Sequence, residues 1–197
     1  MLLYEFETLN DWAEFGDTIK RDCQPYLQQV SDPYKLYRGM KSQDWKNGAW
    51  GKKEGRLEGR LPRGLGFVLT KVANDFFEEN FGGPFRNSVL ATGNHDAATV
   101  FGTVHNIFPI GEFEFVWSPR VDDINYHLND YLFKLPDYTW EEEMYQFLER
   151  SQYTNKNLDA AIKSGNEIMI RCKEYYAIEM QHLQTDAGKQ FMRHFKL

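Results

Sequence analysis

Three short segments carry residue types that could act together on a polar ligand. Leu36-Tyr37-Arg38-Gly39-Met40 places an arginine at the end of a short strand, followed by a glycine whose missing Cβ lets a ligand approach the backbone. Ser88-Val89-Leu90-Ala91-Thr92-Gly93-Asn94 finishes in small, hydroxyl and glycine residues, and runs into the turn His95-Asp96-Ala97-Ala98-Thr99-Val100-Phe101-Gly102. Ser164-Gly165-Asn166-Glu167-Ile168-Met169-Ile170 sets a carboxylate at the mouth of an apolar strand. Charge is uneven along the chain. Lys41 to Arg63 holds seven basic and three acidic residues, net +4, whereas Val121 to Glu149 holds one basic and eight acidic, net −7. These are either two solvated faces or, on the basic side, a loop that receives a phosphate-bearing ligand.

Other chemistries lose ground by what is missing. The sequence has no G-x-x-x-x-G-K-[ST] loop, no G-x-G-x-x-G after a strand, no G-x-S-x-G elbow and no H-E-x-x-H helix. The histidines at 95, 105, 127, 182 and 194 are not spaced as paired ligands to one metal, and no metal is expected. His95-Asp96 could seed a metal phosphohydrolase site only with further His and Asp partners on neighbouring helices. Cys23 and Cys172 make neither a disulfide framework nor a C-x-x-C site, and read as packing residues in a reducing compartment.

The elements that must position these segments follow from periodicity. Trp12, Phe15, Ile19 and Cys23 recur at helical steps and predict a helix over 10–29, ended by Ser31-Asp32-Pro33. A strand over 35–40 precedes a Gly- and Lys/Arg-rich surface loop over 47–66, and a helix over 68–80 stops at Gly82-Gly83-Pro84. Strands are expected over 87–92, 103–109 and 112–117, with a helical turn at 95–101. A helix over 139–152 leads through a loop at 153–166 to strands at 167–172 and 175–178. This order implies an α+β fold rather than a doubly wound one.

With 197 residues, 42% hydrophobic residues, 15 Phe, 11 Tyr and 5 Trp, the chain is expected to be one folded domain, with a core at about 35–180. Its net charge of −6 argues against coating nucleic acid by charge alone. No apolar run approaches the roughly 20 residues that span a bilayer, and the N-terminal stretch is acidic where a signal peptide is basic. The expectation is a cytoplasmic protein with no membrane partner. No internal repeat or low-complexity tract is present.

In order and spacing, the three segments resemble the ADP-ribosyltransferase superfamily, in the branch that carries an Arg, a Ser-Thr-Ser-like strand and a Glu. The resemblance runs from about Leu36 to Ile178. It takes in Phe101-Gly102 as an aromatic-glycine step and Ile110-Gly111 as a hairpin turn. Residues Arg60 to Asp123, with Phe108-Pro109-Ile110-Gly111 and Trp117-Ser118-Pro119, also resemble bacteriophage proteins, which implies a phage origin and action in the host cytoplasm.

The resemblance implies a split mixed β-sheet core with flanking helices, and NAD as substrate. Arg38 would hold the nicotinamide end and pyrophosphate. Thr92 would support the catalytic Glu and the nicotinamide pocket, while Glu167 would bind the ribose 2′-hydroxyl and stabilise the oxocarbenium-like species. Tyr37, Gly39, Ala91, Gly93 and Phe101 would line the NAD site, with Phe101 stacking on nicotinamide. Arg60, Arg63 and Asn166 would contact phosphate or the acceptor. The chain departs from the family with Ala91-Thr92-Gly93 in the strand motif, and with Gly165 where arginine-modifying members carry a second acid. The implied acceptor is a non-arginine side chain of a host protein or a nucleic acid. Transfer to water, as an NAD glycohydrolase, and an inactive fold that inhibits a host protein by binding are the alternatives.

Overall fold

The computed structural model of the chain describes residues 9–41, 49–58, 66–127 and 139–194. Helix α1 (Leu9–Asp22) buries Trp12, Phe15 and Ile19 on one face. The helix expected over 10–29 is two helices, because Cys23 leaves helical geometry (φ −109°, ψ 20°) and α2 (Gln24–Leu27) restarts with Pro25 in its first turn. Then follow β1 (Tyr37–Met40), β2 (Trp50–Glu54), α3 (Gly66–Phe81), β3 (Val89–Thr92), α4 (His95–Thr99), β4 (Thr103–Pro109) and β5 (Glu114–Trp117). The chain continues with α5 (Trp140–Arg150), α6 (Leu158–Ser164), β6 (Glu167–Arg171), β7 (Glu174–Glu179), α7 (Met180–Leu183) and α8 (Asp186–His194).

Two of these lie where loops are expected. β2 reads Trp-Gly-Lys-Lys-Glu, with one large apolar residue, and forms because its backbone pairs with β7 from Trp50↔Ile178 to Glu54↔Glu174. α6 is seven residues long, too short to declare a period. It is fixed by Asn157, which accepts from the Ala160 N–H at 3.1 Å, and by burial of Leu158, Ala161 and Ile162.

The seven strands form one sheet in the order β2-β7-β4-β1-β3-β6-β5. All the described pairings are antiparallel, so the α+β class stands and the expected mixed sheet is corrected. β6 and β7 are joined by Cys172 and Lys173 alone, yet they lie apart in the sheet, β6 between β3 and β5 and β7 between β2 and β4. β6 is buried on both faces. Ile168 and Ile170 enter a core shared with α1 and α6, while Met169 enters a second core with Phe76, Phe77, Met144 and Leu148 of α3 and α5. β1 pairs with β4 over four residues but meets β3 only at Tyr37↔Thr92. Beyond that pair β1 and β3 part. No helix among the described residues is long and apolar enough to cross a membrane.

One surface clamp holds α6 in place. Asp159 pairs with Lys163 at 2.5 Å and accepts from the Ser31 N–H at 2.8 Å and hydroxyl at 2.6 Å. Lys163 first, then Ser31, bring its pKa down to about 2. A depressed carboxylate stabilises the fold above its unfolded pKa of about 3.9, and that stability is lost as pH falls through the folded value. Asp159→Asn is therefore expected to cost about 1 kcal/mol in urea unfolding at neutral pH, allowing for solvent screening. The two proteins should converge in stability as pH is lowered towards 2.

Candidate functional site

Thr92 on β3 directly opposes Glu167 on β6, and Tyr37 on β1 opposes Thr92. Opposed residues of antiparallel strands share a face, with Cβ atoms about 5 Å apart. The three thus form one row at the point where β1 and β3 separate. Alternation along β6 puts Glu167 on the Met169 side, and there it meets Arg86, from the 3-10 turn Phe85–Asn87. Arg86 Nη1 lies 2.6 Å from Glu167 Oε1 and 3.7 Å from Met169 Sδ. Their side chains are 5% and 13% exposed. The Arg86 backbone N–H donates to the side chain of Asn74 on α3 at 2.8 Å, which fixes where the guanidinium starts. A charge-assisted bond this short, largely out of water, fixes where the carboxylate points. Tyr153 packs close by. Burial, and then the Glu167 charge, push its phenol pKa up.

The Thr92 hydroxyl does not bond the Glu167 carboxylate. It donates to the Gly165 carbonyl at 2.5 Å and accepts from the Asn94 N–H at 3.0 Å, joining the end of α6 to the start of α4. Asn166 donates its side-chain amide to the Ser118 carbonyl at 2.9 Å, and Glu167 donates its N–H to the Asp122 carbonyl at 2.8 Å. Both bonds tie the 118–123 turn to the mouth of β6.

Three residues expected to line a ligand are closely packed. A Cβ on Gly39 would lie 1.9 Å from the Ala98 carbonyl oxygen, so the missing Cβ lets α4 approach. Ala91 is buried in the core against α6. A Cβ on Gly93 would fall 1.7 Å from the Ile162 carbonyl oxygen, which accounts for the missing hydroxyl at this place. Gly93→Ser is accordingly expected to displace α6 and lower stability by roughly 1–3 kcal/mol, measured by denaturant unfolding. Gly165 ends α6 at φ +77°, a conformation that an acidic side chain adopts only with strain.

Arg38 sits in the gap between β1 and β3. Its Nη1 donates to the Leu90 carbonyl at 2.8 Å, two residues or about 7 Å along β3 from Thr92. Its Nε is buried without a hydrogen-bond partner, and no described carboxylate pairs with it. Burial lowers its pKa, Tyr175 opposes this, and the Arg56 cation adds to the lowering. Tyr175 and Cys172, its electrostatic neighbours, belong to the core opposite the one that Met169 enters. The structure thus brings Thr92 and Glu167 together, with Arg86 as the cation beside Glu167, and holds Arg38 in the adjoining gap.

The rim is aromatic. Tyr37 packs edge-on against His95 with ring centroids 5.7 Å apart, while Val100 and Phe101 are 79% and 62% exposed. Sequence reasoning missed Arg86, which belongs to no motif, and singled out Arg60 and Arg63 in the basic stretch rather than Arg56. Arg60 and Arg63 lie outside the described residues. Among the described residues no group of three or more His, Cys, Asp or Glu side chains is placed to hold a metal ion. Comparison with protein families, curated proteins and solved structures gives no match to this chain.

Proposed function

We propose that the protein is a mono-ADP-ribosyltransferase that cleaves NAD and transfers ADP-ribose to a host macromolecule. The observation that carries this reading is Glu167: a largely buried carboxylate, held by Arg86, in register with Thr92 and Tyr37 where β1 and β3 part. Breaking the bond between ribose C1′ and the nicotinamide nitrogen builds positive charge on the ribose. A fixed carboxylate in a poorly hydrated site stabilises that charge without reorganising. A carboxylate accepts about four hydrogen bonds, so the Arg86 contact and a ribose 2′-hydroxyl are compatible. The exposed Phe101 ring suits stacking on nicotinamide, and the neighbouring cations Arg38 and Arg56 suit a pyrophosphate. A sheet that opens between β1 and β3 supports the split core of the family, and the left-handed backbone at Gly165, which disfavours an acidic side chain there, supports a non-arginine side chain or a nucleic acid as acceptor.

One observation favours a second reading, a binding module without turnover: Arg38 and Glu167 extend towards different cores. Incubation with adenylate-labelled NAD and a bacterial lysate separates the two. Transfer predicts label on protein or nucleic acid with wild type and none with Glu167→Gln. Free ADP-ribose alone means that water is the acceptor, and intact NAD in every reaction supports the binding module.

A further inference from the structure

The turn that follows β5 brings a histidine–carboxylate pair to the mouth of β6. Asp122 accepts the Glu167 backbone N–H at 2.8 Å, which sets the two Cα atoms on the order of 5 Å apart. Asp122 Oδ1 lies 2.8 Å from His127 Nε2. Ser118 accepts from the Arg120 and Val121 N–H groups at 3.0 and 3.1 Å, and buried Val121 and Ile124 root the segment in the core with Met169. His127 sits against the Phe147 ring of α5 and stays 39% exposed, while Asp122 is 68% exposed. Asp123 is committed elsewhere, capping the turn by accepting from the Asn125 N–H at 2.7 Å.

The direction of the hydrogen bond decides the chemistry. Facing an ionised carboxylate, which can only accept, Nε2 is the donor, and in that neutral tautomer Nδ1 is the free acceptor, with no hydrogen-bond partner among the described residues. Resting on the transferase reading, we infer that His127 is the catalytic base for the acceptor, oriented by Asp122, and that the acceptor nucleophile is an O–H or N–H group whose proton must be removed. As the nucleophile bonds to C1′, the C1′–nitrogen bond breaks and its electron pair neutralises the nicotinamide ring. The acceptor proton passes to His127 Nδ1 and then to solvent.

The test compares two nucleophiles on the full-length protein. Methanol must lose a proton on attacking C1′, whereas the ring nitrogen of 3-acetylpyridine has none to lose. His127→Gln is expected to lower NAD methanolysis about 10²-fold while 3-acetylpyridine exchange stays at the wild-type rate. Equal losses in both reactions, or no loss in either, overturn the inference and leave the transferase reading intact. A wild-type protein that performs neither reaction overturns that reading and the inference with it.

Discussion

Glu167→Gln is expected to reduce the rate of NAD cleavage by about 10²–10³-fold, the loss seen when one preorganised stabiliser of transition-state charge is removed. Gln keeps the length of the side chain and an acceptor oxygen for Arg86 Nη1, now at 2.6 Å from Glu167, but it removes the negative charge that opposes the ribose cation. The loss should fall on kcat more than on KM, because the charge matters only as the bond breaks. The variant also removes the Glu167 charge beside the buried Arg86 guanidinium, so the rate must be referred to folded protein, quantified by denaturant unfolding on the same sample.

The second large effect is on stability. Arg86→Met leaves the Glu167 carboxylate 13% exposed and without this guanidinium, and breaking a buried pair from one side costs about 3–5 kcal/mol. The double variant Arg86→Met/Glu167→Met replaces both charges beside Met169 and the Phe85 core, and is expected to be more stable than either single charge-removing variant. Urea unfolding of the four proteins gives the coupling energy. Additive single losses would mean that Arg86 and Glu167 do not act as a unit.

Much of the secondary structure was legible in the residues. Phe113, Phe115 and Trp117 at every second position marked the strand ending at Trp117, apolar spacing marked α3, and Gly82-Gly83-Pro84 marked its end. The failures have physical causes. β2 exists because β7 offers it a backbone edge, and a pairing partner 120 residues away leaves no local period. α6 is held by a cap, by Asp159 and by Leu158, Ala161 and Ile162, three buried residues in seven that are too few to declare a period. The antiparallel sheet depends on which edges meet, and that information is non-local.

The site shows the same division. Thr92 and Glu167 could be singled out because each ends or begins an apolar strand, and the structure sets them opposite each other. Arg86 could not, since an arginine between Phe85 and Asn87 looks like any surface turn until the Met169 core closes over it. Gly39 and Gly93 were visible as glycines, but the close approach of α4 and α6 to them was not.

The most direct test of the account is nicotinamide release from NAD by the purified protein, followed by chromatography and compared with Glu167→Gln. The wild type is expected to release nicotinamide steadily, and a variant confirmed to be folded to lose about 10²-fold or more of that rate. Release equal in the two proteins, or none above buffer from the wild type, would contradict it.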